Sequence, residues 1–403
     1  MDRLRPTRLA AQAADVRRLG FALVGPVTEA VDDMWPRAVG ASPAAWEVFL
    51  RTERCAAPMA QWLERAGRLE ELPAPVGQFL HARRQHEAMR TLRGRIQLAE
   101  MGRVAAARGW PVIVLKGGRT LVGSAGTPVD LADLDILVPA TLVDEVTTWL
   151  DSHSVGRGRY TSARHVASRY IDAGLPVEVH RTTELDGTPT PQSVWERAVP
   201  LAEGLLGLEP LEHTSFLLYH ATTTHLSRRG RIRDVIVLAD ALQQCSVAER
   251  GDLYRRIRES RFAEPLRRNL DMAAALSSGE AVPDRYRSAA FTRYAMYEVM
   301  RRAGQRRVLL EAPQVVEWVF ALQAGRAEHR ALWGRALTPS VGPSSYRIIS
   351  FLEERSPRPG LLWRRSLRLV HRALLFAVAW PLAKWITWAW QGSNTGGGTP
   401  AMD

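Results

Sequence analysis

Val112-Ile-Val-Leu-Lys-Gly-Gly118 and Asp133-Leu-Asp-Ile-Leu-Val138 are the stretches on which the reading of this chain turns. Pro111 to Leu115 is a short, β-branched apolar run of strand length, bounded by Gly109 before it and Gly117-Gly118 after it. Asp135 to Val138 is a second such run, stopped by Pro139, and Pro176-Val-Glu-Val-His180 is a third with alternating character. Leu142 to His153, between the second and third runs, carries a helical period. These segments make an α+β unit from about Trp110 to Pro200. Outward from it the pattern is helical: Met89, Leu92, Ile96 and Ala99 recur at spacings of 3, 4 and 3, in a helix expected to end at Gly109. After Pro210 the period returns through Phe216, His220, Ile232, Val235 and Leu238 and continues to about Leu337. The fold class is therefore α+β, a small mixed sheet flanked by N-terminal and C-terminal helical regions.

The composition agrees. A chain of 403 residues has room for two or three folding units. With 46% hydrophobic and 24% charged residues it is not a disordered, collagenous or polytopic membrane chain. Cys55 and Cys245 allow no disulfide framework and no CxxC motif, which points to a reducing, cytoplasmic compartment. Met1 to Leu19 is arginine-rich without an apolar core and a small-residue cleavage site, so an ordinary first helix is expected there. Lysine is nearly absent from this arginine-rich chain, occurring only as Lys116 and Lys384. A lysine kept against such a bias invites a reason.

Asp133 and Asp135 are alternate residues of an extended segment, so both project to one face while Leu134 enters the core. Two like charges held so close need a cation between them, and neutralising one is expected to leave stability unchanged or raise it. Mg2+ with triphosphate oxygens fits, because Mg2+ is held by one or two carboxylates plus substrate phosphates. Glu178, on the third strand, could complete a site for two such ions. The bland alternative is a solvated, acidic strand end. Gly117-Gly118 lets backbone N–H groups approach a phosphate, and Lys116 beside it is a candidate triphosphate contact. A P-loop is excluded, since Ser124 stands where that motif requires lysine.

The order Val112-Ile-Val-Leu-Lys-Gly-Gly118, a short helix, Asp133-Leu-Asp-Ile-Leu-Val138 and Val177-Glu-Val-His180 resembles the uncharacterised nucleotidyltransferase family of the DNA polymerase beta superfamily, over about residues 80 to 245. The helical run with His220, His225, Arg231, Arg233 and Asp234 resembles the C-terminal part of that family. The resemblance implies a nucleotidyltransferase core at 108–200, between an N-terminal helical region (1–107) and a helical domain (201–340). It implies catalysis and Mg2+ binding at Asp133, Asp135 and Glu178, with two metal ions. Nucleotide contacts would fall to Lys116, Gly117, Gly118, Arg119 and Ser124, and either Gly117-Gly118 or the Val122-Gly-Ser124 step is the one that faces the nucleotide. His180 matches a position commonly occupied by the same residue, and His180, His220, His225, Arg231 and Arg233 are candidate substrate contacts. His220 and His225, five apart on a helix, point to different faces and are not expected to share a zinc ion. The partners implied are an NTP and a hydroxyl-bearing acceptor, whether small molecule, peptide or protein, with no specific nucleic-acid binding. Two other readings stay open: a DxD transferase using a nucleotide sugar, and a catalytically silent scaffold at a membrane.

Residues 341–390 form a basic, Trp-rich segment, followed by a Gly-rich tail (391–403) expected to be disordered. Of the net charge of +12, Arg355, Arg358, Arg364, Arg365, Arg368, Arg372 and Lys384 contribute seven cations with no carboxylate among them. Trp380, Trp385, Trp388 and Trp390 favour the headgroup boundary, and Pro381 with Lys384 disfavours a straight span. Residues 361–390 are therefore expected to lie on an anionic membrane surface, at the inner face of the cell membrane. Flotation on liposomes checks this: the full chain should bind anionic vesicles at low salt and leave them at high salt, whereas a chain ending at Pro359 should not bind.

Overall fold

The computed structural model describes residues 6–24, 28–122, 131–158, 165–171, 174–183, 190–224, 230–260, 263–280 and 282. Ser124, His225, the basic segment 341–390 and the tail lie outside these residues. The chain divides into two compact units, one of residues 1–18, 40–52 and 287–403, the other of Leu19–Val39 and Glu53–Tyr286. In the first, Trp46 and Phe49 are buried edge to face at 6.2 Å, and Ser42 Oγ donates to Gln12 Oε1 at 3.0 Å.

The helices in chain order are α1 (Pro6–Val24), α2 (Thr28–Val39), α3 (Pro43–Glu53), α4 (Ala56–Arg65), α5 (Ala74–Arg108), α6 (Lys116–Val122), α7 (Val143–Ser152), α8 (Gln192–Glu196), α9 (Pro210–Tyr219), α10 (Ile232–Gln243), α11 (Val247–Glu259) and α12 (Ala263–Ser277). The strands are β1 (Val112–Leu115), β2 (Leu134–Leu137), β3 (Ser154–Gly158), β4 (His165–Ile171), β5 (Val177–His180), β6 (Val199–Ala202) and β7 (Leu205–Gly207). They form one mixed sheet in the order β3-β4-β5-β2-β1-β7-β6. The α+β class expected from the sequence is the one observed. The sheet is wider than the three expected strands, extending through β3 and β4 on one side and through the β6–β7 hairpin, past residue 200, on the other.

The centre of the sheet is covered on both faces, which is why β1 is apolar at every position. Val112 and Val114 join Leu134, Ile136, Val177 and Val179 in a core with Leu98, Met101 and Ala105 of α5 and Val143, Val146 and Leu150 of α7. Ile113, Leu115 and Leu137 face the other way, toward Val194, Leu208 and Phe216. By strand alternation Asp135, Glu178 and His180 project on that second side. Antiparallel pairing sets Leu115 opposite Asp135, and parallel pairing sets Asp135 opposite Glu178.

Helix α5 spans 35 residues and ends at Gly109, whose left-handed φ of 66° closes it as the sequence suggested. The expected period is helical, but Met89, Leu92 and Ile96 are 51%, 54% and 61% exposed. Gly94, Leu98, Met101, Gly102 and Ala105 form the buried face instead. Small residues let the helix axis approach the sheet, and the outward stripe shares their period without their burial. At Gly102 the approach is backbone to backbone: a Cβ there would meet the Glu203 carbonyl oxygen at 2.2 Å. Gly204, in the β6–β7 turn, has φ of +64°, and a Cβ on it would stand 2.0 Å from the Gly102 carbonyl oxygen. Gly204→Ala should therefore destabilise the protein by at least about 2 kcal/mol, combining left-handed strain with a backbone clash, as read from urea unfolding midpoints.

Candidate active site

Three ligand-bearing side chains converge where β2 and β5 run side by side. Asp135, Glu178 and His180 place ligand atoms within 4.8 Å of one another. Asp135 is 2% exposed and His180 fully buried. The Asp135 Oδ1 accepts from Lys116 Nζ at 2.7 Å and is 2.7 Å from His180 Nε2. Burial alone would raise the pKa of Asp135; the charges and hydrogen bonds of Lys116 and His180 outweigh it and hold the carboxyl well below the usual carboxylate range.

The neighbouring acids go the other way. Burial, then the charges of Asp135 and Asp133, push Glu178 up to about 7, against the pull of Lys116. Asp133 stands just before β2 and is half-buried. Its pKa is raised by burial and by Asp135, while Lys116, Arg233 and Arg54 offset part of the rise. Asp135 is thus a compensated buried anion, which reverses the expectation that neutralising it would relieve repulsion. The donor set fits a divalent ion: two carboxylates suit a hard cation, and the imidazole adds a nitrogen. Asp133 is not one of the three converging residues, though it lies within their field.

Helix α5 supplies positions that no motif announced. Glu87 is buried and accepts the Leu131 N–H at 3.0 Å; Arg90 donates to the carbonyls of Leu131 at 2.7 Å and Ala132 at 2.6 Å. These bonds hold the backbone that leads into Asp133. Gln97 brackets Leu175 in the same way, donating to its carbonyl and accepting its N–H at 2.9 Å each, and so fixes the lead into β5. In sequence these residues read as ordinary polar positions of a helix.

The remaining expected residues are placed as follows. Lys116 takes a left-handed φ of 48° at the junction of β1 and α6. Gly117 and Gly118 lie in the first turn of α6, where a Cβ would meet Leu131 Cδ1 at 2.8 Å and Val114 Cγ1 at 2.7 Å, so close packing already requires them. Arg119 donates to the Leu208 carbonyl and to Gln244 Oε1, tying α6 to the chain after β7 and to the end of α10, and it is not brought to the carboxylates. His220 opens a π-helical turn after α9, its ring 5.9 Å from that of Phe216. Arg231 is buried at the N-cap of α10, and Arg233 follows in its first turn.

A sheet of this kind with carboxylates on adjacent central strands, a lysine after β1 and helices on both sides is the arrangement of a nucleotidyltransferase domain. The comparison with protein families agrees: the chain belongs to the family described as uncharacterised nucleotidyltransferase, whose profile matches residues 43–278. No curated protein and no solved structure matches the chain. Among the described residues, no helix is long and apolar enough to cross a membrane.

One buried group beside Arg119 governs the acid stability of this region. His213, on α9, has no hydrogen-bond partner at Nε2 among the described residues. Burial, and then the Arg119 charge, push its pKa down to about 3 from 6.5. The unfolded chain then binds the proton more readily than the folded one, so this contribution is complete above pH 6.5 and drains as pH falls toward 3. Between pH 6.5 and 5 the protein should lose stability at up to about 1.4 kcal/mol per pH unit from this group. His213→Gln should lack that component, as chemical unfolding at a series of pH values checks.

Proposed function

We propose that this protein transfers a nucleoside monophosphate from an NTP to a hydroxyl-bearing acceptor and releases pyrophosphate. The observation that carries the reading is the convergence of Asp135, Glu178 and His180 on adjacent strands, in a chain of the nucleotidyltransferase family. Asp133, Asp135 and Glu178 are the residues that would hold Mg2+, two ions in this reading, which would supply charge stabilisation at the phosphoryl oxygens.

The chain's own groups supply the rest. Glu178 is the carboxylate proposed to accept the proton that the acceptor hydroxyl gives up as it attacks. The hydroxyl oxygen forms its bond to the α-phosphorus as the bond from that phosphorus to the bridging oxygen breaks. Pyrophosphate leaves with the bond's electron pair. Lys116 and Arg233 face the accumulating negative charge, and Lys116 also keeps Asp135 ionised. Gly117 and Gly118 let α6 pack against Leu131 and Val114 directly after Lys116, which leaves the first-turn N–H groups of that helix as the backbone donors offered to a phosphate. His180, held against Asp135, orients that carboxylate. The basic segment 361–390 would hold the enzyme at an anionic membrane surface.

Isothermal titration with each NTP and with common nucleotide sugars, with and without Mg2+, tests the class; the mass gained by a candidate acceptor tests the reaction. Mg2+-dependent binding of an NTP is expected, and binding of nucleotide sugars alone would replace this reading with the glycosyl-transfer one. Asp135→Asn should abolish Mg2+-dependent NTP binding and turnover. It should also lower stability by about 3 kcal/mol, since it leaves Lys116 and His180 without their buried anion. Glu178→Gln should lose turnover while retaining ground-state NTP binding.

A further inference from the structure

Of the three carboxylates assigned to the metal, Asp135 and Glu178 are placed by the pairing of β2 with β5, whereas Asp133 precedes the first paired residue, Leu134. Among the described residues it has no ladder partner. Its direction is set instead by the peptide groups on either side of it. The N–H of Leu134 donates to the Pro176 carbonyl at 2.8 Å, which holds the peptide after Asp133. The carbonyl of Ala132, in the peptide before it, accepts from Arg90 Nη2 at 2.6 Å. One side of Asp133 is thus fixed by the approach to β5 and the other by a side chain of α5.

The grip on the α5 side extends one residue further back. Arg90 Nε donates to the Leu131 carbonyl at 2.7 Å, so a single planar fork spans two successive carbonyls. One turn before Arg90, Glu87 accepts the Leu131 N–H at 3.0 Å and is itself bonded by Arg83 at 3.1 Å. The Leu131 side chain is buried against two glycines: a Cβ at Gly117 would meet its Cδ1 at 2.8 Å, and one at Gly94 its Cδ2 at 3.6 Å. Leu131 is therefore held by its N–H, its carbonyl and its side chain, between α5 and the first turn of α6. An extended chain leaving so fixed a residue puts Asp133 on the face that Asp135 shares. Mg2+ requires near-ideal octahedral geometry, so a ligand whose peptide could swing would bind it poorly.

We propose that Arg90 is a positioning residue of the metal site, setting through the Leu131 and Ala132 carbonyls the direction in which Asp133 presents its carboxylate. This rests on the nucleotidyltransferase reading above, in which Asp133 holds Mg2+, and adds to it a residue from outside the α+β core. The position requires the guanidinium fork, because the ammonium of lysine is a point donor and would not span both carbonyls in one plane.

Titration of the full-length protein with Mn2+ in place of Mg2+, followed by electron paramagnetic resonance, tests the proposal without relying on turnover. Arg90→Gln should weaken Mn2+ binding about tenfold or more, and Arg90→Lys should recover part of the loss. Asp133→Asn separates positioning from a general loss of stability: in that background Arg90→Gln should weaken binding no further, because the ligand it acts through is already gone. Equal losses in the two backgrounds overturn the proposal, as does wild-type affinity in Arg90→Gln. Should Arg90→Gln fail to fold, Arg90→Lys takes its place in the same cycle, and wild-type affinity there overturns the requirement for the fork and the proposal with it. If the unaltered protein binds no Mn2+, the metal-dependent nucleotidyltransferase reading itself fails. If it binds and the Arg90 variants bind equally, only the role of Arg90 is rejected.

Discussion

A single buried carboxylate organises the centre of this protein. An ionised Asp135 in the middle of a sheet would cost several kcal/mol without compensation, and two donors 2.7 Å from one of its oxygens supply that compensation. Each donor constrains the chain in its own way. Lys116 reaches the anion from a left-handed backbone at the end of β1, which turns the chain directly into α6. His180 reaches it only because β5 runs parallel to β2 in the register that sets Asp135 opposite Glu178. A slip of one residue would carry Glu178 and His180 to the apolar core and expel Val177 and Val179 from it. The same pairing that neutralises Asp135 leaves Glu178 beside a fixed negative charge and gives it a pKa near neutrality.

Helix α5 serves as the jig on which these strands are set. Glu87 and Arg90 hold the approach to β2, Gln97 holds the approach to β5, and Gly102 receives the β6–β7 turn. From Glu87 to Gly102 the helix rises about 22 Å, enough to address successive parts of the sheet from one rigid rod. The polar bonds all go to backbone groups just outside the strands, where no ladder partner would otherwise satisfy them. This explains why a helix with so many charged residues packs on an apolar sheet. Its inner face alternates small residues that permit contact with polar ones that grip the loops.

Much of this was legible in the sequence, and the boundary of legibility has physical causes. The apolar runs at Val112 and Val177, the Asp133-Leu-Asp135 step and the helix stop at Gly109 are local signals, and each stands where its pattern indicates. Strands β3 and β4 carry glycine, serine, arginine and histidine, so neither offers the continuous apolar run that marks β1. β6 and β7 are only four and three residues long and are defined by pairing. The two faces of α5 share one period, so spacing alone could not tell the buried from the exposed. The roles of Glu53, Glu87 and Gln97 depend on partners far away in the chain, and no window contains both ends of such a bond. Arg119 shows the converse: the resemblance implied a nucleotide contact, and its guanidinium donates to the Leu208 carbonyl and to Gln244 Oε1.

The bond from Glu53 to Ile232 closes a loop of 179 residues, whereas that from Asp135 to His180 closes one of 45. The longer loop is about four times the shorter, so its closure costs about 1.2 kcal/mol more chain entropy. Pairings among β1, β2 and β5 can therefore be made while the first helices and α10 are still apart. By loop length alone, pairing the strands that carry the carboxylates costs less chain entropy than seating Glu53 on α10. During synthesis the N-terminal helices emerge early and wait for α10, with Glu53 unmatched in the interval. A nascent chain in that state would have its sheet and still lack the tie between the α3–α4 turn and α10.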